Sequence, residues 1–206
     1  MKVVAISDLH GHLPKIPSCD LLLIAGDLCP MSDIVGQRWW LQEVFGPWLE
    51  SLDVKDIIGV AGNHDWIFER AKHLVPKLPW TYLEDNLAEV QGLTIYGIPW
   101  QRRFYDWAFN LDEPELGSKY AKIPEGVDII VSHGPPFYFG DLTKRGEHVG
   151  CRTFIEKVQE IKPKLVVFGH IHCDHGQWDY EDCKLANVTV VNEKYEMVYE
   201  PLVFDL

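Results

Sequence analysis

Val3-Val4-Ala5-Ile6-Ser7-Asp8-Leu9-His10 is four apolar residues running directly into a polar cluster. A short β-branched run without polar alternation reads as a strand covered on both faces. The same pattern recurs four times. Residues 21–25 enter Gly26-Asp27, 57–61 enter Gly62-Asn63-His64-Asp65, 129–131 enter Ser132-His133-Gly134, and 165–168 enter Gly169-His170-Ile171-His172. Helical stretches lie between the runs. Residues 33–52 place Trp40, Val44, Trp48 and Leu52 at i, i+4 spacing, with a kink or division expected at Gly46-Pro47. Residues 65–75 read as a second helix and 151–161 as a third, ended by Lys162-Pro163. Strand and helix alternate, so the expected class is α/β.

The rest of the chain predicts shorter, partly antiparallel strands at 93–98, 188–191, 196–199 and 202–204. Residues 101–125 form an aromatic-rich insertion, helical over 113–121. No repeat, linker or composition break divides the 206 residues, so the expectation is one domain over 1–206. With 47% hydrophobic and 24% charged residues, the composition excludes wholesale disorder. Apolar runs of four or five residues fall far short of the ~20 that cross a bilayer, and the start lacks the apolar core of a signal peptide. A cytoplasmic protein with no membrane partner is expected. A net charge of −12 disfavours long nucleic acid as a partner. Five cysteines without a CxxC pair indicate neither a disulfide framework nor a zinc knuckle.

In open α/β sheets ligands gather beyond the carboxyl ends of strands, so the five polar clusters are expected to surround one crevice. Asp8 and His10, like His170 and His172, are i, i+2 pairs, which on extended backbone project from one side toward a common centre. The donors are Asp8, His10, Asp27, Asn63, His133, His170 and His172. This mixed oxygen and imidazole set suits Mn, Fe or Zn better than Mg or Ca. Seven donors exceed one ion's needs, which points to two divalent metal ions. Two ions ~3.5–4 Å apart can ionise a bridging water to hydroxide and serve phosphoryl-ester hydrolysis. Mn is the first expectation, with Fe, Zn, Co and Ni as alternatives.

The ordered set D-x-H, G-D, G-N-H-D, H-G and G-H-x-H resembles the calcineurin-like metallophosphoesterase superfamily. Gly97-Ile98-Pro99-Trp100, Trp107-Ala108-Phe109-Asn110, His133-Gly134-Pro135-Pro136 and Val203-Phe204-Asp205-Leu206 are similar to its brain-type metallophosphoesterase-domain-containing branch, which is class III cyclic nucleotide phosphodiesterase-like. The resemblance implies a four-layer fold with two facing mixed β-sheets flanked by helices. It assigns Asp8, His10, Asp27 and His172 to one ion and Asp27, Asn63, His133 and His170 to the other, with Asp27 as the bridge. It makes His64 a catalytic residue that approaches the substrate and Asp65 the group that orients its ring. Asp27 is followed by Leu28-Cys29-Pro30-Met31 instead of the D-R-G of protein phosphatases, so no arginine awaits a phosphomonoester dianion. Some brain-type members carry glycine at the position of His170, which this chain keeps as histidine.

The expected activity is hydrolysis of small phosphodiesters, with 2′,3′- or 3′,5′-cyclic nucleotides first. The alternatives are a nuclease or nucleic-acid end-processing phosphatase, or a low-activity nucleotide-binding scaffold. His12 and Trp100 are expected to contact substrate. Trp39, Trp40 and Trp48 are expected in the core, Cys173 as a small buried residue, Arg145 and Arg152 on solvated surface, and His73, His148 and His175 as ordinary residues.

Overall fold

The computed structural model describes residues 1–206. One sheet has the order β13-β1-β2-β3-β4, from strands β1 Lys2–Ile6, β2 Cys19–Ala25, β3 Val54–Val60, β4 Thr81–Tyr82 and β13 Leu202–Asp205. The second runs β11-β12-β10-β9-β6-β5, from β5 Asn86–Val90, β6 Leu93–Ile98, β9 Ile129–Ser132, β10 Leu165–Phe168, β11 Gly176–Tyr180 and β12 Cys183–Asn187. The short pair β7 Gln101–Arg102 and β8 Asn110–Leu111 opens and closes the first part of the insertion.

The unbroken apolar runs divide by period two. Val3, Ala5, Leu21, Leu23 and Ala25 face the other sheet and pack with Ile129, Val131, Leu165 and Val167. Val4, Ile6, Leu22 and Ile24 face outward into a second core beneath Trp40, Leu41, Phe45 and Leu49. Ile130, Val166 and Phe168 face outward from the second sheet beneath Leu116, Tyr120, Phe154 and Val158. These three cores give two facing sheets with a helical layer outside each, the expected four-layer arrangement.

The outer helices follow local chemistry. α1 Ile34–Trp40 is capped by Asp33, whose carboxylate accepts the Gly36 N–H at 2.8 Å. It passes through a π-turn at Leu41–Phe45 into α2 Gly46–Ser51. Pro47 lacks an N–H and crowds the preceding turn, and the wider π-turn absorbs that strain. The expected 65–75 helix is shorter, because α3 Trp66–Arg70 breaks at Ala71 before a 3-10 turn at Lys72–Leu74. α4 Glu113–Tyr120 lies within the insertion. α5 Arg152–Ile161 ends at Lys162, whose left-handed φ of 54 turns the chain before Pro163. No helix is long and apolar enough to cross a membrane.

Two expectations need correction. Residues 188–191 and 196–199 make isolated bridges, Ser7 with Thr189 and Val191 with Met197, instead of ladder strands. Trp40 is buried, but Trp39 is 61% exposed, since consecutive helical positions lie about 100° apart. The 188–190 segment leaves β12 and crosses to the other sheet, where the Ser7 N–H donates to the Val188 carbonyl at 2.9 Å and the Val190 N–H to the Ser7 carbonyl at 3.0 Å.

Candidate metal centre

Three polar clusters leave β1, β2 and β3 of one sheet and two leave β9 and β10 of the other. They meet in a cleft of about 880 Å³ lined by Asp27, Asn63, His64, His170 and His172 among others. The i, i+2 pairs do not converge through extended backbone. Asp8, His10, Asp27 and His170 adopt left-handed φ values of 56, 43, 53 and 71, and His172 opens a 3-10 turn. For a non-glycine residue this conformation costs on the order of 1 kcal/mol or more, strain of the kind that collects at functional sites. It aims successive side chains inward. Two glycines permit close approach: a Cβ on Gly62 would overlap Asp27 Oδ1, and one on Gly169 would overlap Asp8 Oδ2.

The donors form two groups. In the first, His172 Nε2 lies 3.3 Å from Asp8 Oδ1 and 3.3 Å from His10 Nε2. In the second, Asn63 Oδ1 lies 2.9 Å from His133 Nε2 and 2.7 Å from His170 Nδ1. His170 and His172 therefore divide between the groups instead of sharing one centre. Asp27 reaches toward both, with Oδ2 3.6 Å from His10 Nε2 and Oδ1 3.5 Å from His133 Nε2.

The electrostatics ask for a cation. Asp8 and Asp27 are 0% and 1% exposed, and their ion-pair partners are imidazoles, with no lysine or arginine among them. Burial opposes the charge on Asp8, yet the His172 hydrogen bond and the surrounding histidines outweigh it and hold its pKa well below the carboxylate range. The Asp27 pKa is lowered the same way, by His133, His64 and His10 against burial. Burial pushes His10 down to about 4, and burial with His133 pushes His170 to about 3, so both rings are neutral ligands near pH 7. His172 is raised, because its bond to Asp8 overcomes burial. His133 Nδ1 lies 2.8 Å from the Ala25 carbonyl, to which it donates, so in the neutral ring Nε2 is left as a lone pair facing the Asn63 oxygen. Two acceptors at that distance repel unless a cation lies between them. His10 Nδ1 is buried without any partner in the chain. The residues present therefore fit divalent metal, and Asp8, His10, Asp27, Asn63, His133, His170 and His172 can hold it.

His64 is 6% exposed and differs from the other histidines. Its N–H donates to Asp27 Oδ1 at 2.7 Å and its carbonyl accepts from Gln37 Nε2 at 2.7 Å, while its ring Nε2 stands 4.0 Å from Asp27 Oδ2. Asp65 does not orient that ring. Its carboxylate accepts the N–H groups of Leu28, Cys29 and Gly62 at 2.8–3.1 Å, tying the exits of β2 and β3 together. Burial and the charge of Asp27 raise its pKa to about 6 against those three donors.

The two expected substrate contacts, His12 and Trp100, are not among the residues that line the cleft. His12 Nε2 lies 2.8 Å from the Tyr195 carbonyl. Trp100 donates Nε1 to both oxygens of Asp85, at 3.1 and 3.0 Å, and Lys119 covers its ring. Cys173 is only half-buried and lines the cleft, as does Arg145, while Arg152 caps the Phe137 ring at 3.7 Å. His148 also lines the cleft, with Nδ1 2.6 Å from the wholly buried Asp141. The sequence reading missed Trp107 and Tyr195, whose rings lie 4.2 Å from His64 and 4.6 Å from His10. The density of aromatics in the insertion was the available signal for Trp107.

Residues 1–174 match the family model described as calcineurin-like phosphoesterase. Over its whole length the chain is 34% identical to human metallophosphoesterase domain-containing protein 1, of which it spans 71%. It is 31% identical to a UPF0046 protein of Caenorhabditis elegans, of which it spans 60%. The fold is similar to that of the Thermus thermophilus protein TT1561, with a TM-score of 0.61 and 14% identity over 90% of this chain and 88% of that one. With the ligand-rich strand exits in place and the whole chain aligned to such relatives, this protein belongs to the calcineurin-like phosphoesterase family.

Proposed function

We propose that this chain is a cytoplasmic, dinuclear-metal phosphodiesterase of small phosphodiesters, with 2′,3′- or 3′,5′-cyclic nucleotides as the leading substrates. The observation that carries the reading is the position of Asp27, whose two carboxylate oxygens lie 3.6 and 3.5 Å from histidines of the two separate donor groups. Asp8, His10 and His172 with Asp27 would hold one ion, and Asn63, His133 and His170 with Asp27 the other. Divalent metal bound there supplies Lewis acidity toward the phosphoryl group and lowers the pKa of water.

The chain's own residues support the remaining requirements. Water adds to phosphorus and gives up a proton, the ester P–O bond breaks with its electron pair on the leaving oxygen, protonated His64 gives its proton to that oxygen to release the alcohol, and the proton lost by the water restores the protonated ring. A histidine kept off the ligand set is suited to this step. The segment after Asp27 offers no side-chain cation, and the amides of Leu28 and Cys29 are occupied by Asp65, which favours a singly charged diester.

The test is turnover of an aryl phosphodiester beside its monoester by metal-stripped protein resupplied with Mn²⁺, with bound metal counted. Mn²⁺-dependent diester turnover at two ions per chain, lost in Asp27→Asn, supports the reading. Monoester preference, or full turnover with one ion, overturns it.

Arg102, Arg103, Lys144 and Arg145 line the same cleft and favour a second reading, a nuclease or nucleic-acid end-processing phosphatase. Three of the four are paired, with Glu113, Asp112 and Glu193, which leaves little free positive charge for a polyanion. Oligonucleotide turnover that falls steeply with salt would favour this second reading.

A further inference from the structure

The backbone of His64 is fixed by hydrogen bonds, but no residue of the chain hydrogen-bonds its ring. What holds the ring plane is packing. The Trp107 indole stacks on the imidazole, with centroids 4.2 Å apart and planes inclined by 27°, while His10 meets it edge-on at 4.5 Å. Trp66 leans on Trp107 at 6.3 Å, and Arg70 caps Trp66 at 3.8 Å.

Trp107 is placed deliberately by the insertion. The Ala108 N–H donates to the Asn63 carbonyl at 3.1 Å, the Phe109 N–H to Glu69 Oε1 at 2.7 Å, and Gln101 Nε2 to the Ala108 carbonyl at 2.9 Å. The segment that directly follows the indole is thus fastened to the loop that carries Asn63 and His64 and to the helix that follows it. We infer that Trp107 is the positioning residue for His64, its indole face setting the imidazole plane so that the ring nitrogen meets the leaving oxygen.

This rests on the proposed proton-donor role of His64 and narrows the substrate class. A held acid matters little for an aryl leaving group, which departs as a stable anion, and much for an aliphatic alcohol such as a sugar hydroxyl. The structure therefore suits esters of unactivated alcohols. With one face given to His64, Trp107 is a poor platform for a nucleobase; Phe104, Tyr105 and Tyr195, 52%, 78% and 41% exposed, are open rings of the cleft.

The test compares aryl and alkyl esters of the same nucleoside 5′-phosphate, using Mn²⁺-loaded wild type, Trp107→Ala, Trp107→Phe and His64→Ala. Misplacing a catalytic group costs up to about 100-fold, so Trp107→Ala is expected to lower kcat on the alkyl ester by about 10- to 100-fold, with KM and aryl turnover little changed. Trp107→Phe should recover most of the rate, and adding Trp107→Ala to His64→Ala should cost nothing more. In metal-free protein, loss of the indole ring current should shift the His64 ring protons downfield by NMR. Equal loss on both esters, additivity with His64→Ala, or unmoved His64 resonances overturns the role of Trp107. If His64→Ala itself shows no leaving-group dependence, the proton-donor role fails instead, an outcome that the other arms distinguish.

Discussion

Asp65 and Cys29 stand 36 positions apart in the chain, yet the Cys29 N–H donates to Asp65 Oδ1 at 2.9 Å in the interior. The same carboxylate accepts from Leu28 and Gly62, so one side chain joins the loop after β2 to the loop after β3. Asp65→Ala would leave three buried donors without partners and is expected to cost about 3 kcal/mol of stability, against about 1 kcal/mol for Asp65→Asn, which keeps one acceptor. Urea unfolding of the metal-free proteins measures both. Equal and small losses would show that water replaces the carboxylate.

Gly62→Ala places a methyl group 2.3 Å from Asp27 Oδ1 and 2.4 Å from the Asp27 backbone nitrogen, so the carboxylate and the loop that carries it must shift. Metal affinity is expected to fall by at least about 10-fold, the scale of disturbing a ligand's support, while the fold survives. Isothermal titration with Mn²⁺, beside circular dichroism, separates the two effects.

Acid should destabilise the metal-free protein. His10 and His170 bind protons less readily folded than unfolded, so their contribution is complete above pH 6.5 and is lost as pH falls toward about 4 and about 3. Asp65, raised to about 6, acts oppositely: its contribution is present below pH 3.8 and fades as pH rises through about 6. His172, raised, also favours the folded state on the acid side of its window. The two strongly lowered histidines dominate, so the urea midpoint should fall between pH 7 and 4.5. The fall should flatten in His170→Gln, and an unchanged slope there would sink the assignment.

Divalent metal should raise the melting temperature of the stripped protein. A ligand bound only by the folded state adds about 2.7 kcal/mol at 100 times its Kd. Thermal unfolding with and without Mn²⁺ reads this, and Asp27→Asn should abolish most of the increase.

Much of this architecture is legible in the sequence because parallel strands buried on both faces write themselves as continuous apolar runs, and all five such runs became strands. The hairpin of β11 and β12 was not legible: Gly176-Gln177-Trp178-Asp179-Tyr180 is half-exposed and mixed in character, so it carries no such run. At the site, residue type and spacing identify donors but not backbone conformation. The left-handed turns at His10 and His170 send each i, i+2 pair in directions that an extended chain would not. The role of Asp65 was equally hidden, since its partners are backbone amides, which every residue except proline possesses.

The crossing segment that joins β12 to Ser7 has a mechanical consequence. Ser7 immediately precedes Asp8, and its N–H and carbonyl are both held by residues 188–190, which continue a strand of the opposite sheet. The two sheets are therefore riveted at the edge of the cleft, and they cannot slide or hinge there without breaking buried backbone hydrogen bonds. Amide protons at Ser7 and Val190 should be among the last to exchange with solvent, released by global unfolding and not by local breathing. The spacing between donors from the two sheets is thus a property of the fold as rigid as its core, and substrate must adapt to it.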